Sequence, residues 1–184
     1  MKVWMLKLLA LISLAASLLG DVSGCACDVA RPEALAARQC SLCREAEKQP
    51  ADAAYFFLKD SHPLKPNRWL LLPRSHGPDG PNPLAHLPEA ERIRLWTAAI
   101  ARARELWGGQ WGVAINGDEV RTQCHTHIHI GRLLEGVETG RFVVVAGPAE
   151  IPVPKDGTGL WIHPYGQKLH VHLGEQAAET VLAR

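Results

Sequence analysis

The chain has 184 residues, carrying 20 Lys and Arg against 19 Asp and Glu for a net charge of +1. That length suits one domain. The balanced charge excludes the basic field that a nucleic-acid-binding surface requires, so no nucleic acid partner is expected.

Residues 1–24 differ in kind from the rest. Met1 and Lys2 precede the apolar run MLKLLALISLAASLLG, which is too brief for a transmembrane span and is shaped like a secretory export segment, to be set aside from the fold. The run ends in Val22, Ser23, Gly24 and Cys25, which resembles a bacterial lipobox. On that reading Cys25 is lipidated and anchors the mature chain to a membrane. A secretory peptide cleaved nearby and an uncleaved N-terminal helix are the alternatives, and all three place the domain outside the cytoplasm. Residues 25–39 then form a linker and helical segment, and residues 40–184 the main domain.

Setting Cys25 aside leaves Cys27, Cys40, Cys43 and Cys124. In an exported chain these invite disulfides. The two-residue spacing of Cys40 and Cys43 also lets both thiolates grip one metal ion, which needs two further ligands from elsewhere. Cys40 pairing with Cys43, or Cys27 pairing with either, is the competing expectation. A redox role for Cys40 and Cys43 is disfavoured, because no thioredoxin-like βαβ pattern surrounds them.

The stretch between Pro32 and Pro50 reads as short helical material. AAYFFLKD (53–60) and NRWLLLP (67–73) read as two strands joined by a Pro-rich segment, and RSHGPDGPNPLAHL as a loop. From Pro88 to Leu106 the period changes. Ile93, Trp96, Ile100, Ala103 and Trp107 are spaced by three and four residues, predicting a helix that stops at Gly108 and Gly109. WGVAIN (111–116), HTHIHI (125–130), RFVVVAG (141–147), LWIHP and KLHVHL supply further strands, the last pair turned by Tyr165, Gly166 and Gln167. The fold class is α+β: an antiparallel sheet with one long helix and a short N-terminal helical segment.

The segment QCHTHIHIG (123–131) carries the chemistry. Side chains alternate across a strand, so His125, His127 and His129 are predicted to share one face, with Thr126, Ile128 and Ile130 on the other. Imidazoles titrate near neutral pH, and three in a row suit acid, base, nucleophile or ligand roles better than a solvated face. His170 and His172 also alternate, near His163 of the preceding strand, yet without Cys or carboxylate partners at ligand spacing they read as the polar face of an edge hairpin.

Asp60, the strand LLLP with His76 three residues after Pro73, the long helix, Asn116, Thr122 and the row of histidines follow one order. That order resembles the histidine triad superfamily of nucleotide hydrolases and transferases, from about Cys40 to Ile130. Within it, LKD, LLLP, AIN and RTQ are similar to the bacterial CDP-diacylglycerol pyrophosphatases. This chain is shorter after residue 131 than those lipid enzymes, so the part contacting lipid would be missing or replaced. Arg68 stands where many cytosolic members carry a histidine.

The resemblance implies a histidine-triad-like fold and a hydrolase of nucleotide-linked diphosphates. Its substrate would be CDP-diacylglycerol, split to CMP and phosphatidate, or else a soluble nucleotide diphosphate or phosphoramidate. His127 would be the nucleophile and His129 a donor to the phosphate oxygens. Asn116 and Thr122 would contact phosphate or leaving group, while Asp60, Arg68 and Gln123 would complete the substrate site; for Arg68 a solvated strand end is the alternative. Cys40, Cys43, His76 and His125 match a structural zinc set, although the chemistry itself would need no cofactor. Many members are dimers, which leaves a homodimer open. A periplasmic metal-binding module without turnover is the rival from another class. Trp69 and Trp161 are expected in the core, with a nucleoside or lipid pocket as the alternative.

Overall fold

The computed structural model describes residues 22, 25, 27–76, 83–154 and 156–184. The export segment therefore lies outside the described residues, apart from Val22. Among the described residues, no helix is long and apolar enough to cross a membrane.

Seven strands form one antiparallel sheet: β1 (Tyr55–Lys59), β2 (Trp69–Pro73), β3 (Trp111–Ile115), β4 (Ile128–Arg132), β5 (Phe142–Val145), β6 (Gly159–Tyr165) and β7 (Lys168–Glu175). Their spatial order is β1-β2-β4-β3-β6-β7-β5. The helices are α1 (Ser41–Glu47), the single turn α2 (Pro83–His86) within the stretch expected to be a loop, and α3 (Glu89–Trp107). Strand β1 pairs with β2, and the expected hairpin of β6 and β7 forms around Gly166, whose φ of 58° suits a two-residue turn.

Helix α3 begins after Pro88, carries Glu89 and Glu91 where the helix dipole favours acids, and ends at Gly108, with φ 57°. It buries Leu95, Trp96, Ala99, Ile100 and Ala103 against Leu71, Val113, Ile128, Ile130 and their neighbours on one face of the sheet. Each larger apolar side chain removed from water contributes about 1.5–3 kcal/mol, so this layer is the main source of stability.

The opposite face has a different cover. The registers Leu70↔His129, Ala114↔His129, Ala114↔Trp161, Trp161↔His172 and Phe142↔His172 place these residues in one row across the sheet, away from α3. A 3-10 turn, Ala178–Val181, and Leu182 lie on the middle of that row, packed on Ala114 and Trp161. They fit because Gly112 and Gly131 are paired directly opposite each other. A Cβ on Gly112 would meet Leu182 at 2.6 Å, and one on Gly131 would meet it at 3.1 Å. Strand β3 is consequently buried along its whole length and shows no alternation.

Two disulfides staple the N-terminal segment to this body, Cys25–Cys124 and Cys27–Cys40. In the first, the Cys25 sulfur that lipidation would use is bonded to Cys124. The second removes Cys40 from the expected metal set, because a disulfide sulfur is not a thiolate ligand. The pairing of Cys27 with Cys40 is one of the alternatives raised above.

Candidate functional site

The histidine row divides. Only His129 lies within β4; His125 and His127 precede it, His125 in a bend with Cys124 and His127 between that bend and the strand. His127 and His129 stay together, ring centroids 4.9 Å apart, whereas His125 turns towards His76, also at 4.9 Å. The three do not share one face as expected, because the extended strand stops short of the first two.

His127 and His129 line a cleft of about 420 Å³ together with Asp60, Lys65, Asn116, Arg121, Thr122, Gln123 and Glu179. The Nδ1 atom of His127 is 2.8 Å from the carbonyl oxygen of His125. A carbonyl only accepts, so Nδ1 carries the proton and Nε2 keeps its lone pair. Burial lowers the His127 pKa, with Arg121 adding to that effect, while the His125 carbonyl, Glu179 and Asp60 oppose it. The ring is therefore neutral at pH 7.

His129 is pushed down to about 3, chiefly by burial. Both its ring nitrogens are buried without a hydrogen-bond partner, although Nδ1 lies 3.4 Å from Glu179 Oε2. Leaving a buried polar group unsatisfied costs about 1–3 kcal/mol, which marks the ring as held for something other than stability.

Glu179 was not legible as a site residue. It arrives on the C-terminal turn, its backbone N–H donating to Asn116 Oδ1 at 2.9 Å, and its Oε2 meets Lys65 Nζ at 2.7 Å and Arg68 Nη1 at 2.5 Å. Burial alone would raise its pKa; His129, Lys65 and Arg68 more than offset that and hold it at about 2. Arg68 is buried and also donates to the carbonyls of Leu182 and Ala183, so it is neither a solvated strand end nor a cleft-lining group. It clamps the C-terminal segment.

Of the remaining expected site residues, Thr122 is exposed on the cleft wall. Asp60 Oδ1 accepts from the His62 N–H at 2.9 Å, closing a turn at the rim. Gln123 spends its amide on structure instead of substrate: Oε1 accepts from Ser41 Oγ at 2.7 Å, and Nε2 donates to the Arg38 carbonyl at 3.1 Å. Arg121 donates to the Cys124 carbonyl and pairs with Asp118, bracing the chain that leads to His127. Trp69 lies on the α3 side with Arg102 over its ring, and Trp161 is fully buried, so neither lines this cleft.

Among the described residues, three groups are close enough to hold a metal ion: Cys43, His76 and His125; Cys27, Cys40 and Cys124; and Glu138, His163, His170 and His172. The second is consumed by the disulfides. In the first, Cys43 is buried and outside both disulfides. His125 Nε2 faces the Pro73 carbonyl at 2.9 Å and His76 Nε2 faces Glu47 Oε1 at 2.6 Å. Both rings then donate from Nε2 and offer Nδ1, the arrangement in which second-shell acceptors orient metal-binding imidazoles. The expected Cys2His2 set is thus reduced to three residues. The third group contradicts the expected edge hairpin, since β7 is flanked by β6 and β5 and its histidines are buried.

No protein-family model matches the chain, and no curated protein does either.

Proposed function

We propose that the protein is a hydrolase of nucleotide-linked diphosphates, with His127 as the nucleophile of a histidine-triad-like site. The observation that carries this reading is the His127 ring, neutral and turned by the His125 carbonyl so that Nε2 keeps its lone pair in a cleft bordered by cations. An imidazole in that state attacks phosphorus without a base to deprotonate it.

In the first step a bond forms between His127 Nε2 and the phosphorus bearing the nucleoside, and the bond to the bridging oxygen breaks. The other phosphate leaves with that oxygen. Water then attacks the nucleotidyl-imidazole, releasing the nucleoside monophosphate and returning the lone pair to Nε2. Charge spreads over the non-bridging oxygens during both transfers, so fixed donors around them carry most of the catalysis. His129, whose buried ring lacks a hydrogen-bond partner, is suited to donate to such an oxygen. Glu179, held at about 2, is too weak a base to activate water; its part is to hold Lys65 and Arg68 in place.

CDP-diacylglycerol is the proposed substrate, with CMP and phosphatidate as products and soluble nucleotide diphosphates or phosphoramidates as the alternative. An extracytoplasmic site of action accords with the two disulfides. Zinc suits Cys43, His76 and His125, which would tie α1 to the chain that precedes β4 and leave a fourth position open.

The test is incubation of the chain with CDP-diacylglycerol in detergent and with soluble nucleotide diphosphates, beside His127→Asn. CMP release lost in the variant supports the reading. Turnover of soluble nucleotides alone moves the substrate but keeps the nucleophile, and turnover that survives in His127→Asn rejects the mechanism.

A further inference from the structure

The second row of histidines sits on the same face of the sheet as His127 and His129, separated from them by Ala114 and Trp161. We propose that His163 and His172, with His170 and Glu138, form a binding site for a divalent first-row transition metal ion of the zinc, copper or nickel kind. This inference does not rest on the hydrolase reading.

Geometry is the first support. Each of the four residues offers one ligand atom, and these atoms all lie within 4.8 Å of one another. His163 Nε2 is 3.2 Å from His172 Nε2 and 3.7 Å from Glu138 Oε1, which is itself 2.6 Å from His170 Nδ1. Nitrogen and oxygen ligands about 2.0–2.1 Å from a tetrahedral ion stand about 3.3 Å from one another, so one ion fits among them with small side-chain shifts.

Hydrogen bonding is the second. His163 Nδ1 faces the Pro164 carbonyl at 3.1 Å and must donate to it, which leaves Nε2 as a lone pair aimed at His172. One N–H from His172 can satisfy that pair of nitrogens, but His170 Nε2 remains buried with no hydrogen-bond partner. A cation held by His163 Nε2, His172 Nε2, His170 Nδ1 and Glu138 Oε1 would take up the lone pairs that converge there, while His170 Nε2 stays an N–H between Phe142 and Tyr165.

The rings are also held in place. His172 stacks on Trp161 with centroids 3.6 Å apart and planes within 3°, and its Nδ1 is 3.2 Å from Thr139 Oγ1. His170 lies between Phe142 at 4.0 Å and Tyr165 at 3.8 Å. Such packing fixes ligand orientation before an ion arrives. Glu138 is half exposed, and a cleft of about 400 Å³ reaches it and His163, giving an ion a route in. Imidazoles with one carboxylate and no thiolate favour zinc, copper or nickel over calcium or magnesium.

The experiment uses the full chain carrying His76→Ala, which disables the Cys43 group, stripped with chelator and titrated with Co²⁺ and Cu²⁺. One tightly bound ion per chain is expected. Bound Co²⁺ should show the visible bands of low-coordinate nitrogen and oxygen ligation without a thiolate charge-transfer band. His170→Gln should weaken binding by at least about a hundredfold, more than the loss of an outer-shell partner does. If His170→Gln does not fold, Glu138→Gln, altered at a half-exposed side chain, carries the test with a loss of about tenfold or more. Absence of a bound ion, or affinity unchanged in the folded variants, overturns the proposal and leaves the cluster as aromatic packing.

Discussion

Glu179 Oε2 lies 3.4 Å from His129 Nδ1 while it closes ion pairs with Lys65 at 2.7 Å and Arg68 at 2.5 Å. One carboxylate from the C-terminal turn thus neutralises two cations beside the histidines. Glu179→Gln should cost about 2 kcal/mol, the worth of a hydrogen bond to a charged group, because Arg68 keeps its two carbonyl acceptors. It should also tighten binding of inorganic phosphate in the cleft. Urea unfolding and phosphate titration check both; a stability change under about half a kcal/mol would remove the clamp role.

His129 should separate stability from activity. Its nitrogens lack hydrogen bonds in a buried place, so His129→Leu is expected to raise stability by about 1 kcal/mol. The same change should lower kcat by about 10²–10³, the usual cost of removing one donor to a developing charge. A stabilised variant with full turnover would contradict the donor assignment.

Gly112→Val tests the seat of the C-terminal segment. A Cβ there meets Leu182 at 2.6 Å, and overpacking typically costs about 1–3 kcal/mol. Because Leu182 neighbours the turn that bears Glu179, turnover should fall as well, although Gly112 does not line the cleft. Lost stability with unchanged kcat/KM would show that the seat does not position the site.

The Cys25–Cys124 bond spans 99 positions, for which loop-closure entropy predicts about 4–5 kcal/mol of stabilisation. Replacing both cysteines by Ser should lower the urea midpoint accordingly. It should also reduce turnover, since Cys124 precedes His127 by three positions and its carbonyl is braced by Arg121. Equal stability with and without the bond would count against it in the native fold.

Acid should destabilise the protein in two windows of the same sign. His129 falls from 6.5 to about 3 on folding, chiefly by burial. Between those values the unfolded chain binds a proton that the native state refuses, so stability drops as pH falls, by about 2 kcal/mol from pH 6.5 to pH 5. Glu179 falls from 4.5 to about 2 against the pull of burial, so its contribution is present above 4.5 and is lost as pH drops through about 2. Urea midpoints measured across this range on the protein and on His129→Leu should differ in slope most clearly between pH 6.5 and 4.5, because at lower pH the loss of His129 also removes one of the groups that hold Glu179 down. Identical slopes would mean that His129 is not held neutral.

Where the chemistry rests on local periodicity, it was legible from the residues alone. The apolar spacing over 93–107 predicts α3, and Gly and Pro punctuation marks both hairpins. The alternation of His127 and His129 places them side by side. Tertiary structure decided the rest. His125 leaves the row because the strand begins only at Ile128, and Cys25 pairs with Cys124 across more than half the chain. Glu179 sits in an Ala-rich tail with no local pattern, and it becomes part of the site only because Gly112 and Gly131 form a trough that receives Leu182. The second row of histidines is buried because β5 returns to the far side of β7. Backbone propensity and side-chain period act over a few residues, whereas strand order and chain closure are set by burial summed over the whole molecule.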